Sequence, residues 1–258
     1  MKLLTWNIRC QNATDDARGC GWSVRRERVL AAIEFAAPDV LAVQEALPAQ
    51  MDDLRAALPG YDAVGVGRDD GKRQGEFCGL FFRRERFELR ATSTRWLSPT
   101  PEVPSRGWDA TLNRIVTKAR LFDRIRRREF EVWNTHFDHS GELARLESAK
   151  LLRRELECSA FPAVLCGDFN AAPGSAPIQQ LLGGTLAEAR EHSKLEPQGE
   201  VATFCGFDAP LYGEKWRIDW VFVSRDWEVE SYAVPAPLDS DFPPASDHRP
   251  VVVELELS

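Results

Sequence analysis

Short apolar runs recur along the whole chain, separated by turn-forming residues. KLLTWNI (2–8), VLAVQE (40–45), YDAVGVG (61–67), CGLFFRR (78–84), FELRATSTRWL (87–97), NRIVTKARLF (113–122), EFEVWNTHF (129–137), PAVLCGDF (162–169), RIDWVFVS (217–224) and RPVVVELEL (249–257) are rich in β-branched and aromatic residues. Such residues suit a pleated, half-buried surface and predict strands. The last run alternates, with Val251, Val253, Leu255 and Leu257 on one side and Glu254 and Glu256 on the other. Other stretches follow helical spacing. Val29, Ile33 and Ala36 repeat before Pro38 ends the run, Pro48 precedes Met51, Leu54 and Leu58, and residues 141–157 align Leu146, Ala149, Leu152 and Leu156. Many strands with a few helices predict an α/β (α+β) fold of two packed sheets flanked by helices. No repeat, low-complexity tract or linker divides the chain, so a single domain over 1–258 is expected.

Composition narrows the setting. Of 258 residues, 43% are hydrophobic and 28% charged, which supports a large core and argues against disorder. The apolar runs fall short of the roughly 20 residues that span a bilayer. The opening MKLLTWNIRC breaks its apolar stretch at Asn7 and Arg9, so a strand is expected there and not a secretory leader. A cytoplasmic protein is expected, without membrane attachment and monomeric. The six cysteines (Cys10, Cys20, Cys78, Cys158, Cys166, Cys205) form no CxxC pair or zinc spacing, so they read as structural, reduced thiols. A net charge of −7 and a pI near 5.3 weigh against a broad grip on duplex nucleic acid. They do not exclude a nuclease, because bound cations supply positive charge locally. The one basic run, RIRRR (124–128), lies between two predicted strands and is either a solvated hairpin turn or a contact for an anionic polymer.

Polar residues that suit phosphate or metal chemistry stand where these strands end. Asn7 closes one run, Glu45 the next, Asn134 and His136 another, and Asp168 with Asn170 another; Asp219 opens a strand, and Asp247 and His248 precede the last one. Singly, each has an ordinary explanation: a turn former, a helix-dipole partner for Glu45, a core histidine, an ion pair between Asp219 and Arg217. Together they are complementary, offering carboxylates for a hard cation, histidines, and amides that hold water or phosphate oxygens. Strand ends in a sandwich open onto a common rim, where loops and function concentrate.

The ordered set TWN, QE, NTHFDH, GDFN, RIDWVFV and SDHRPV, spanning Asn7 to His248, resembles the endonuclease/exonuclease/phosphatase superfamily. Its known members include deoxyribonuclease I, abasic-site endonucleases, inositol-polyphosphate 5-phosphatases, bacterial sphingomyelinases and the nocturnin-type deadenylases. GVGRDDGKRQGEF, WLSPTPEVPSRGWDA and NTHFDHSGELARLESAKLL further resemble a bacterial subgroup near the nocturnin-type branch. The resemblance implies a four-layer α/β sandwich, deoxyribonuclease I-like, with its site in a cleft at the sheet ends. It implies Mg²⁺, with Mn²⁺ able to substitute, held by Glu45 with Asn7 and Asp247. It implies that Asp168 orients or deprotonates the attacking water and Asn170 holds the scissile phosphate. His248, oriented by Asp219, would contact the phosphoryl oxygens, and His136 would act as a second catalytic histidine. Arg114 is the candidate for an added phosphate contact through its bidentate fork; a strand-end ion pair is its alternative. Asn134 and His139 are expected to line the cleft on the substrate side. Lys118 stands where the resemblance would place Trp, as a substrate contact or a solvent-facing strand residue. Trp22, Trp108 and Trp216 lie in predicted loops, where they would stack a base or sugar or simply pack.

The leading expectation is a Mg²⁺-dependent phosphoesterase using in-line water attack on a nucleotide or single-stranded nucleic acid. Two alternatives stay open: a phosphatase of a small molecule such as a sugar or inositol phosphate, and a non-catalytic binding module that keeps the fold. An unrelated metallophosphatase would need more histidine ligands than the four present.

Overall fold

The computed structural model describes residues 1–207, 211–235 and 243–258. In chain order its elements are β1 (Lys2–Asn7), α1 (Ala13–Ala17), α2 (Trp22–Ala36), β2 (Val40–Ala46), α3 (Pro48–Ala57), β3 (Tyr61–Val64), β4 (Phe77–Arg83), β5 (Phe87–Trp96), β6 (Ile115–Asp123), β7 (Arg128–His136), α4 (Glu142–Glu157), β8 (Ala163–Asp168), α5 (Ala176–Leu182), β9 (Ala187–Glu188), β10 (Gln198–Gly199), β11 (Asp219–Val223), β12 (Trp227–Val234) and β13 (Val251–Leu257). The strands form two mixed sheets, ordered β10-β12-β13-β1-β2-β4-β3 and β5-β6-β7-β8-β11-β9. The expected sandwich is present. The short helices α1 and α5 carry too few residues to leave a helical stripe in the sequence.

Alternation along each strand sorts the side chains into layers. Leu3, Val40, Ala42, Phe130, Val132, Val164, Cys166, Val221, Val251 and Val253 meet between the sheets. Leu4, Trp6, Leu41 and Val43 face the other way, against Val29 and Ile33 of α2 and Met51 and Leu54 of α3. Trp133, Leu165, Trp220 and Phe222 pack under Ala149 and Leu152 of α4 and Ile178 and Leu181 of α5. Helix, sheet, sheet, helix is therefore the order of layers.

The period of two has a consequence at one end of the sandwich. On β7 the inward series Phe130, Val132 continues into Asn134 and His136; on β8 Val164, Cys166 continues into Asp168; on β1 Leu3 continues through Thr5 into Asn7. The polar cluster is the continuation of the inter-sheet core, where apolar side chains give way to charged ones.

The RIRRR segment is the turn joining β6 to β7, with Arg127 at φ +59. It lies a full strand away from His136, about 30 Å for nine residues. Arg124 and Arg126 pair with Glu88 and Glu256 at 3.4 and 2.7 Å. No disulfide joins any of the six cysteines, and four of them are buried. Among the described residues no helix is long and apolar enough to cross a membrane.

Candidate active site

Strand register sets the first distances. β7 and β8 run parallel with His136 beside Asp168, and β11 runs antiparallel to β8 with Asp219 opposite Asp168. This register depends on Gly167. Its φ is +139, and a Cβ there would lie 1.9 Å from the Thr135 carbonyl oxygen, so a side chain would push β7 and β8 apart. In the other sheet the pairing of β2 slips between Val43 and Ala46, and Glu45 sits in that irregularity at φ +63. A left-handed non-glycine residue costs on the order of 1–3 kcal/mol and persists only where its surroundings fix it. Here Asn7 Nδ2 donates to Glu45 Oε1 at 2.9 Å and the Cys10 N–H donates to Oε2 at 3.0 Å.

Asp168 Oδ2 is the centre of the cluster. Asn7 Nδ2 donates to it at 3.0 Å, His136 Nε2 lies 3.4 Å away and His248 Nε2 3.7 Å. The other oxygen accepts from the Asn170 N–H at 2.9 Å, with Asn170 held at φ +47. Burial, and then the neighbouring Asp219 charge, push the Asp168 pKa up to about 7. His248 Nδ1 faces Asp219 Oδ2 at 2.8 Å. Burial alone would lower the His248 pKa, but the carboxylates of Asp219 and Asp168 outweigh it and raise it to about 10. The ring is therefore an imidazolium at neutral pH, with Nε2–H directed toward Asp168. Thr203 Oγ1 fixes the start of β11 by accepting from the Ile218 and Asp219 N–H groups at 3.0 and 3.1 Å.

His136 sits on the other side of Asp168 in a different field. Its Nε2 lies 3.1 Å from Asn170 Nδ2, and its buried Nδ1 has no hydrogen-bond partner among the described residues, with Glu76 Oε2 3.9 Å away. Burial, then the charges of Arg114 and Arg68, hold its pKa well below the ordinary histidine value. Glu76 is gripped by both terminal nitrogens of Arg68, at 2.5 and 2.9 Å. Burial and the Glu45 charge still raise its pKa to about 7. Glu76 and Arg68 were not singled out in the sequence, although Glu76 immediately precedes an apolar strand, as Asp219 nearly does.

The remaining candidates divide. Asp247 lies on the Glu45 side, 3.7 Å from Arg9 Nη1, its pKa raised by burial against the nearby Glu45 charge. Arg114 is buried, its Nε 3.3 Å from Asp138 Oδ2 and its Nη2 3.0 Å from His139 Nδ1. Asp138 in turn accepts from the N–H groups of Gly141, Ser140 and Thr111, at 2.8 to 3.1 Å. These bonds organise the loop after β7. The side-on edge of the Arg114 fork is thus engaged within the protein. Asn134 needs correction. It is fully buried, its Nδ2 donates to the carbonyls of Val43 and Gly79, and its Oδ1 accepts from Gln44 Nε2 at 2.6 Å. It bolts the two sheets together beneath the site and has no polar atom left for a substrate. Asn170 Nδ2, shared between His136 and the Phe137 carbonyl, reaches a phosphate only by giving up His136. Lys118 lies over Trp133 at 4.7 Å and 3.5 Å from Glu131, and it is not part of the cleft. Trp22 opens α2 and is buried, Trp108 is 37% exposed away from the cleft, and Trp216 lines it.

The walls are tied from behind by Arg25, which is fully buried. Its guanidinium donates to the carbonyls of Ile8, Arg9, Cys20 and Ala245 at 2.6 to 3.1 Å. Ser246 Oγ adds a bond to the Asn7 carbonyl at 2.7 Å. The loop carrying Asp247 and His248 is thereby fixed against the end of β1.

The cleft above these residues encloses about 750 Å³. Glu45, His136 and Asp168 offer ligand atoms within 4.8 Å of one another, and so do Asp168, Asp219 and His248. The first set suits a cation better, because His136 Nδ1 has no hydrogen-bond partner among the described residues while His248 Nδ1 is engaged by Asp219 at 2.8 Å. Two carboxylates and one imidazole match a divalent ion, and the raised carboxyls of Asp168, Glu76 and Asp247 mark a place where a cation would relieve repulsion.

Residues 4–248 match the Endonuclease/Exonuclease/phosphatase family. Among solved structures, mannosyl-6-phosphatase from Bacteroides thetaiotaomicron is 35% identical, with both chains covered completely and a TM-score of 0.93. Among curated proteins, the uncharacterized protein L388 of Acanthamoeba polyphaga mimivirus is 27% identical across 99% of this chain and 100% of its own. Nocturnin of Drosophila melanogaster is 28% identical over 72% of this chain, which spans 31% of that longer protein. The motifs from Asn7 to His248, the layered sandwich and the clustered carboxylates and histidines meet in one assignment: the chain belongs to the endonuclease/exonuclease/phosphatase family of phosphoester hydrolases.

Proposed function

We propose that the protein is a Mg²⁺- or Mn²⁺-dependent phosphatase whose substrate is a phosphorylated sugar. The observation that carries this reading is the meeting of His136 and the Asp219-paired His248 at Asp168, on the floor of a cleft of about 750 Å³. The volume suits one small molecule. The full-length likeness to a mannosyl-6-phosphatase supports a sugar monoester over a nucleic acid. So does the position of the Arg-rich turn, at the far end from the cleft, where it gives a polynucleotide no track into the site.

Glu45, His136 and Asp168 would hold the cation, with Asn7 buttressing Glu45 and Asp247 adding negative charge nearby. When bound, the cation would neutralise charge on the phosphoryl group and the departing oxygen. Asp168 accepts a proton from the attacking water. His248 donates its Nε2–H to a phosphoryl oxygen, and Asp219 keeps that ring charged and oriented. The water oxygen bonds to phosphorus as the bond to the sugar oxygen breaks, and the proton taken by Asp168 passes to that sugar oxygen, giving inorganic phosphate and the free sugar. Arg114 and His139 line the cleft, where they would steer the substrate.

The test is phosphate release from hexose 6-phosphates, nucleoside monophosphates, dinucleotides and single-stranded RNA, with Mg²⁺ and with EDTA. Metal-dependent release that is fastest on a hexose phosphate is expected. Cleavage of RNA or dinucleotides with no phosphate from any hexose ester would reject this function.

A further inference from the structure

One wall of the cleft has no part in the chemistry above. It consists of Phe204 and Trp216, with Phe207 beside them. Trp216 is half-buried and belongs to a short 3₁₀ turn, Glu214–Trp216. Phe204 meets the His248 ring edge-on at 5.0 Å between centroids, and Trp216 lies 5.6 Å beyond Phe204 at an angle of 43°. Two rings thus lead away from the His248 ring that would hold the phosphate.

The step is rigidly indexed to the chemistry. The Trp216 carbonyl accepts from the N–H groups of Thr203 and Phe204 at 3.1 and 2.9 Å. The hydroxyl of Thr203, a fully buried residue, also holds the first two N–H groups at the start of β11, including that of Asp219. Phe204 forms a backbone bridge with His248. One anchor residue therefore sets both the orienting carboxylate of His248 and the height of the indole. The Lys215 ammonium lies 5.1 Å from the Trp216 ring centre, a contact that steadies the ring. Fixed spacing between a phosphate holder and an aromatic surface is what a site needs to measure a substrate.

We propose that Trp216 is the specificity shelf of the enzyme, on which the ring of a hexose phosphate lies while its phosphate sits at His248. This rests on the sugar-phosphatase function above. The C–H groups of a sugar face carry slight positive charge and are drawn to the electron-rich face of an indole. The same cleft is lined by Arg9, Asp15, Arg114 and His139, polar and charged groups suited to vicinal hydroxyls. A nucleobase would be served poorly. Its edges are read chiefly through amides and hydroxyls, and the one amide in the described lining, Asn170, is committed to His136 and the Phe137 carbonyl.

The experiment compares kcat/KM for a hexose 6-phosphate, phenyl phosphate and a nucleoside 5′-monophosphate in the wild type, Trp216→Phe and Trp216→Ala, with melting temperatures measured alongside. The expected result is a fall of about ten-fold in the hexose-to-phenyl ratio for Trp216→Ala, the size of one aromatic contact, with Trp216→Phe in between. An unchanged ratio in a folded Trp216→Ala protein overturns the shelf while leaving the phosphatase intact. A loss confined to the nucleotide also overturns it and assigns the surface to a base. A wild type that shows no preference for the hexose ester rejects the sugar-phosphatase function itself, and the shelf with it.

Discussion

The two halves of the cleft each carry a histidine beside Asp168, and they hold it in opposite states. His248 has a carboxylate 2.8 Å from Nδ1 and is pushed up to about 10. His136 has no such partner, lies near the guanidinium groups of Arg114 and Arg68, and is held well below the ordinary value. Both rings are almost completely buried, so burial does not distinguish them. The difference lies in which charge stands behind each ring. One half keeps a proton and offers it to anionic oxygen. The other keeps a lone pair and offers it, with Glu45, to a cation.

This division can be broken most severely on the proton-holding side. His248→Ala should lower kcat by about 10²–10³-fold, the effect of losing a preorganised donor. Asp219→Asn should lose a large part of that, and the double variant little more than His248→Ala, because the two residues act as one unit. Additive losses in single-turnover rates would separate them. The sign of the pH effect follows from the same contact. Activity needs the imidazolium, which is present below the His248 pKa; removing the Asp219 charge lowers that pKa, so the alkaline limb of the pH–rate profile should move to lower pH.

The cation-holding side should fail differently. Glu45→Gln removes one ligand charge, so the Mg²⁺ concentration for half-maximal rate should rise at least ten-fold, with turnover lowered by orders of magnitude at fixed metal. The alkaline limb set by His248 should shift far less than in Asp219→Asn. If Asp219→Asn moved the Mg²⁺ titration as far as Glu45→Gln does, the two halves would not be separate.

Below the cleft the effects should fall on stability. Asn134→Ala removes the bond from the Gln44 amide and the two bonds to the Val43 and Gly79 carbonyls, a loss of about 1–3 kcal/mol. Urea unfolding should show that loss while KM, corrected for folded protein, stays near wild type; a selective rise in KM would return Asn134 to the substrate. The smallest effect belongs to the far turn. Arg126→Ser removes an exposed pair with Glu256 and should change stability by no more than about 0.5 kcal/mol. Activity on a small ester should be unaffected, as enzyme assays at matched concentration would show.

Some of this was legible in the residues. Hydrophobic runs and their alternation determined most of the strands, the longer helices and the layered sandwich, because a period of two or of three to four leaves one way to bury each face, but β12 and the two-residue β9 and β10 lay outside those runs. The same period placed Asn7, His136 and Asp168 on the inward face at strand ends, and the ordered motifs identified the family. The sequence could not say which inward polar residue would end in the cleft and which beneath it. Asn134 and His136 differ by one step along β7, yet one is a bolt between sheets and the other a site residue. That depends on where the second sheet stops, which only packing decides. Nor could it supply Glu76 and Arg68, carried by a loop whose place over the rim is set by β4, or the buried Arg25 that fixes three segments through their carbonyls. Above all, two histidines read alike in a chain. Their opposite charge states come from Asp219 reaching one through sheet register and Thr203, and from Arg114 and Arg68 approaching the other. Electrostatic fields act through space, and a linear pattern records only neighbours in sequence.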